Sequence, residues 1–125
     1  MEVALLLDDS RPIFLQIAER IENDIIEGRL AEEAQVPSTN QFVAFYQINP
    51  ATAAKGVSLL VERGILYKRR GLGMYVAEGA RARLIEERRE QFFTQYVVPL
   101  QREARKLGIT TEQLADMIQT GEKVG

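Results

Sequence analysis

Apolar residues recur at helical spacing over most of this chain, and the pattern changes once to strand-like composition. Ile13, Phe14, Ile17, Ile21 and Ile25 fall at i, i+4 intervals, the stripe of a helix that buries one face. Asp9 or Ser10 can cap this helix, Pro12 falls in its first turn, and Gly28 suggests its end. Its other face carries Glu19, Glu22, Asp24 and Glu27, so it should meet solvent or a partner rather than phosphate. Ahead of it, the run from Val3 to Leu7 can form a small strand or an ordered arm.

Residues 29–37 read as a connector. Ser38-Thr39-Asn40-Gln41 then fits a capping box, in which the serine accepts from the amide three residues on and the glutamine reaches back. Phe42, Val43, Phe45 and Tyr46 follow as core candidates, with Gln47-Ile48 as a tight turn. Asn49 can cap the next helix, and Pro50 suits its first position. Ala53, Val57, Leu60 and Val61 make the apolar stripe of that helix, while Ala51, Thr52, Lys55 and Ser58 lie largely off it. This second face is small, polar or basic, so it can approach another surface closely. Two short helices joined by about three residues have helix-turn-helix spacing.

Gly64 provides a helix stop, and there the period changes. Ile65-Leu66-Tyr67 and Met74-Tyr75-Val76 have strand composition and flank a basic step, Lys68-Arg69-Arg70, and a turn, Gly71-Leu72-Gly73. A capped helix running into a basic, glycine-tipped hairpin is the sequence form of a winged helix-turn-helix. There one helix enters the DNA major groove and the hairpin lies against the backbone or minor groove.

Residues 80–107 form a long helical candidate that Pro99 should kink or split and Gly108 should end. Thr110-Thr111-Glu112-Gln113 offers a second capping box before a short last helix. Leu84, Ile85, Phe92, Phe93, Tyr96, Val97, Leu100 and Leu114 are more apolar surface than this segment can bury by itself. The segment can pack back on its own domain or form a two-fold interface with a second copy, and the second is the favoured solution. The expected fold is therefore mainly α with a small β-hairpin wing (α+β). A DNA-binding domain over 1–77 precedes a C-terminal helical dimerisation segment over 78–125.

Charge sharpens this picture. The 125 residues carry a net charge of −2, which alone argues against nucleic acid, but the distribution does not. Residues 1–35 hold three basic and nine acidic side chains, a net of −6, whereas residues 36–76 hold five basic and one acidic, a net of +4. The local basic patch coincides with the helix and hairpin and supplies the footprint that phosphate contacts need. The chain has neither cysteine nor histidine, which removes thiolate chemistry, the commonest general base and the commonest metal ligand. No enzyme site, metal site or cofactor is expected. No apolar run approaches the roughly 18 residues of a membrane span, and the first ten residues lack the basic start of a signal peptide, so a cytoplasmic setting is expected.

Each candidate has a definite chemical role. Ser38, Thr39 and Asn40 sit at a helix N-terminus, where free amides and the dipole favour a phosphate. Asn49 positions the next helix. On that helix Ala51 and Thr52 can touch a thymine methyl, and Lys55 can reach guanine or phosphate. Arg69 and Arg70 are the foremost phosphate candidates, supported by Lys68 and Arg63, and Gly71 and Gly73 let the backbone come close. The competing reading is a winged-helix protein–protein module without DNA binding, against which the basic step argues.

These residues resemble the GntR family of bacterial transcription regulators over roughly residues 10–77. The resemblance is carried by Pro12-Ile13-Phe14, Gln16-Ile17, Gly28-Arg29-Leu30, Val36-Pro37-Ser38, Glu62-Arg63-Gly64-Ile65-Leu66 and the segment from Arg69 to Val76. The Asn49-Pro50-x-Thr52 entry and the short tail most resemble the YtrA-type branch, with two C-terminal helices for dimerisation. That implies a homodimeric repressor on a palindromic double-stranded DNA operator, plausibly of a transporter operon, with an unidentified small-molecule effector as a further possible partner. The sequence departs from the family where Glu32-Glu33-Ala34 replaces Pro-Gly-Asp/Glu, where Asn40 replaces a DNA-contacting arginine, and where Pro50 replaces the arginine common at the start of the recognition helix.

Overall fold

The computed structural model describes Leu7 and residues 10–123. The chain divides into two compact units, Met1–Ile85 and Glu86–Gly125. The arm expected at Val3–Leu7 lies outside the described residues, except for Leu7, which packs against the core of the first unit.

Helix α1 spans Ile13–Ile26 and buries Ile17, Ala18, Ile21 and Ile25. Pro12 stands at its N-cap without a side-chain cap bond; of the two caps expected, Asp9 lies outside the described residues and Ser10 stands too early. Proline disfavours helical geometry in the residue before it, so the helix cannot begin ahead of Pro12. Glu22, expected on the outer face, is instead buried and accepts from the guanidinium of Arg63 at 2.6 Å.

Helix α2 spans Thr39–Tyr46 and helix α3 spans Pro50–Glu62. Phe42 and Tyr46, one turn apart, face inward, whereas Phe45 is 54% exposed and only meets Tyr46 edge-on at 4.9 Å. Phe45 is thus a surface residue and not the core residue expected. Gly56 lets α3 lie against α1: a Cβ there would stand 2.7 Å from the Phe14 carbonyl oxygen.

Strands β1 (Leu66–Arg69) and β2 (Gly73–Val76) pair antiparallel, with Leu66 opposite Val76, Tyr67 opposite Tyr75 and Arg69 opposite Gly73. The connector runs along the free edge of β2. Glu33 donates its amide to Val76, Val76 to Ala34, and Val36 to Met74, at 2.8–3.0 Å. Its Gln35 bridges to Tyr75.

Helix α4 spans Ala80–Phe92. Its beginning belongs to the first unit, where Ala80 and Leu84 join Ile65, Leu66 and Val76 in the core. Arg81 there donates to the Ile26 carbonyl at the end of α1, at 3.0 Å. The compact unit therefore extends to Ile85, beyond the boundary at residue 77 expected from the hairpin.

In the second unit α4 gives way to a π-helical turn, Phe93–Val97, and then to α5, Val98–Lys106. Pro99 explains the interruption, because its ring would strike the carbonyl four residues back and it has no amide to donate. The backbone widens just ahead of it, and the Val98 amide reaches the Phe93 carbonyl five residues back. Helix α6 spans Thr111–Thr120 behind the expected capping box, with Thr110 accepting from Gln113 at 3.1 Å.

Candidate nucleic-acid interface

The candidate residues lie on α2, α3 and the hairpin of the first unit. At the start of α2, the Ser38 hydroxyl accepts from the Gln41 amide at 3.2 Å, and the Gln41 side chain accepts from the Ser38 amide at 2.7 Å. An α-helix leaves its first amides without intrahelical partners, and this box occupies those of Ser38 and Gln41. Those of Thr39 and Asn40 remain at the helix end, with Asn40 exposed and Thr39 half-buried.

The turn between α2 and α3 consists of Gln47, Ile48 and Asn49. Gln47 takes a left-handed conformation with φ 54°, and Asn49 Oδ1 accepts from the Ala51 amide at 2.7 Å. Asn49 acts as the cap that aims α3, with its side-chain oxygen committed to that bond. Ala53, Gly56, Val57 and Leu60 face the core, so Ala51, Lys55 and Ser58 point outward. Thr52 is half-buried on the flank, and Ala54, not singled out from the sequence, is exposed. Lys55 leans back over Phe14, its Nζ 4.1 Å from the ring centroid, which anchors the amine beside the N-terminus of α1.

The hairpin tip is formed by Arg70, Gly71 and Leu72, closed by the Leu72 amide donating to the Arg69 carbonyl at 2.9 Å. Gly71 and Gly73 have φ of 76° and 112°, values that suit glycine. Gly73 also passes close to Gln35, whose side-chain amide donates to the Leu72 carbonyl at 2.7 Å. Leu72 is 59% exposed at the tip.

The cations are not equivalent. Among the described residues, the side chains of Lys68 and Arg70 are exposed and have no hydrogen-bond or ion-pair partner. Arg69 is folded back onto the hairpin face. Its Nη2 donates to the Tyr67 hydroxyl at 2.9 Å and to Glu33 Oε2 at 3.3 Å, and its Cζ lies 4.4 Å from the Tyr75 centroid. The Tyr67 hydroxyl in turn donates to Glu33. That bond, first, and some loss of solvent push the phenol pKa above its ordinary value, against a smaller opposing effect of Arg69. Arg63, expected to support the phosphate field, is committed to Glu22 inside the unit. Glu33 and Gln35 had no visible signal in the sequence, because their positions depend on the connector pairing with β2.

Of the residues expected at an interface with a second copy, Leu84 is 1% exposed and packed in the core of the first unit. It is therefore unavailable to a partner, since α4 begins as a core helix. Ile85, Val97 and Leu114 are half-buried, while Phe92, Phe93, Tyr96 and Leu100 are 42–64% exposed. Among the described residues no cluster of histidine, cysteine, aspartate or glutamate could hold a metal ion, and no helix is long and apolar enough to cross a membrane.

Two helices joined by a three-residue turn, packed on α1 and followed by a paired hairpin, define a winged helix-turn-helix. The chain belongs to the GntR family of bacterial regulatory proteins, whose model matches residues 14–76. This is a family of regulators and not of enzymes. The chain is 28% identical over 111 residues to YhcF of Bacillus subtilis, an uncharacterised HTH-type transcriptional regulator, covering 89% of this chain and 90% of that one. It is 30% identical over 77 residues to the repressor YtrA of the same organism, covering 62% and 59%. A solved GntR-family regulator from Listeria monocytogenes aligns with a TM-score of 0.73 at 28% identity, covering 93% of this chain and all of that one. The AraR DNA-binding domain, solved in complex with an operator, aligns with a TM-score of 0.52 at 28% identity over 57% of this chain and 87% of that one.

Proposed function

We propose that this protein is a sequence-specific DNA-binding repressor of the YtrA-like kind, acting in the cytoplasm as a homodimer on a palindromic operator. The observation that carries the reading is the pairing of an outward α3 face, small and basic, with Lys68 and Arg70 on the wing of the same unit, whose side chains are exposed and without a partner among the described residues. The related AraR domain was solved with operator DNA. Ala51, Thr52 and Lys55 address base edges and adjacent phosphates. Ser38, Thr39 and Asn40 hold a phosphate at the α2 N-terminus, and Asn49 fixes the entry of α3. Lys68, Arg69 and Arg70 engage the backbone, with Gly71 and Gly73 allowing close approach. The exposed Phe92, Phe93, Tyr96 and Leu100 form the interface between copies, to which Ile85, Val97 and Leu114 contribute. A two-fold dimer presents two such units to two half-sites, which is why the operator should be an inverted repeat. A transporter operon as target and a small-molecule effector are the further expectations of this reading.

The test is to incubate the purified protein with fragmented genomic DNA of the source organism and sequence what it retains. Enrichment of a few fragments sharing an inverted repeat is the expected result. Retention without sequence preference, or none, would contradict it and favour the protein–protein module.

A further inference from the structure

We propose that Glu33 is an internal stand-in for a DNA phosphate: it holds Arg69 against the wing and lowers the protein's affinity for duplex until a phosphate displaces it. The inference rests on the DNA-binding reading above and adds a residue that sets its strength.

The geometry carries it. One oxygen of Glu33 receives both the Arg69 Nη2, at 3.3 Å, and the Tyr67 hydroxyl. The guanidinium also lies over the Tyr75 ring, 4.4 Å from its Cζ, beside Tyr67, whose ring is 6.1 Å from that of Tyr75. A carboxylate so placed offers the guanidinium the same anionic acceptor that a phosphate would. Glu33 does this from an unusual backbone, with φ of 67°, where glycine is at ease and a side chain is strained. Such strain persists only where the surroundings over-determine it. Here the hydrogen bond that the Glu33 N–H donates to the Val76 carbonyl and the side-chain hydrogen bonds to the wing do so. The Arg69–Glu33 pair is about half exposed on both sides. Exposed ion pairs are weak and screened by salt, so a DNA phosphate can exchange with this one. The next wing cation, Arg70, has no such partner among the described residues.

The experiment measures affinity for one duplex containing the selected operator by fluorescence anisotropy at fixed salt, comparing wild type, E33Q, E32Q, R69A, R70A and R69A/E33Q. E33Q should bind roughly two- to fivefold more tightly, the range set by an exposed ion pair. E32Q, the same charge change one residue away, should gain clearly less. In the R69A background E33Q should gain no more than E32Q does in wild type. E33G, which suits the backbone at this position, is the second variant and should reproduce the gain of E33Q if the amide substitution disturbs folding. An equal gain for E32Q and E33Q, an unchanged or weaker E33Q and E33G, or a full gain in the R69A background would overturn the inference while R70A still weakens binding and the DNA reading stands. Failure of wild type to bind any duplex would overturn the DNA reading and this inference with it.

Discussion

Arg70 has no side-chain partner among the described residues, while Arg69 is already engaged by Glu33, Tyr67 and Tyr75, so alanine at the two positions should act differently. R70A should weaken binding to all duplexes alike and lower the salt slope by about one phosphate contact. R69A should cost less, because its phosphate contact is made only after an internal one is broken; equal losses in a salt-resolved anisotropy titration would contradict this. The same cluster makes a titration prediction. Folding raises the Tyr67 phenol pKa above its ordinary value of 10.0. The hydrogen-bond contribution is thus complete below that value and is lost as pH rises through the higher folded one. In an ultraviolet tyrosinate titration two of the four tyrosines should ionise late in wild type, Tyr67 and the buried Tyr46, and one of them, Tyr67, earlier in E33Q. Superimposable curves would show that the carboxylate does not hold the phenol.

At the scale of elements, the capping boxes at Ser38 and Thr110, the Asn49-Pro50 entry and the glycine-tipped hairpin were readable from residues alone. Each is a local rule in which a side chain answers its own backbone. What the sequence hid was non-local. Glu22 looks like a solvent residue on a helical wheel, and the arrival of Arg63 from the end of α3 gives its buried carboxylate an ion-pair partner. The connector between α1 and α2 has no strand pattern, yet it pairs along β2 and brings Glu33 and Gln35 to the wing. Gly56 interrupts the α3 stripe, and its reason lies on α1, where the Phe14 carbonyl leaves no room for a Cβ. G56A should raise intrinsic helix propensity and still destabilise the unit by about 1–3 kcal/mol, the usual cost of overpacking. Urea unfolding at equal or higher stability would mean that α1 and α3 can shift apart freely.

At the scale of the whole molecule, the first unit completes its core only with Ala80 and Leu84, so the place at which the chain is cut matters. A chain ending at Ile85 should fold cooperatively, whereas one ending at Gly79 loses both residues. Loss of the Leu84 side chain alone should cost about 2–5 kcal/mol; equal stability of the two truncations by thermal melting would contradict that core. If Phe92, Phe93, Tyr96 and Leu100 join two copies, the chain ending at Ile85 should also sediment as a monomer and the full chain as a dimer. Two copies joined in this way would present two wings and two α3 helices to one duplex, and their affinity would then depend on the counterions released along the backbone. The most direct measurement is therefore the affinity of the full chain for a duplex carrying its inverted repeat across a series of salt concentrations. The logarithm of affinity should fall linearly with the logarithm of salt, and less steeply for R70A. An affinity indifferent to salt, with the same slope in R70A, would contradict DNA binding through this face.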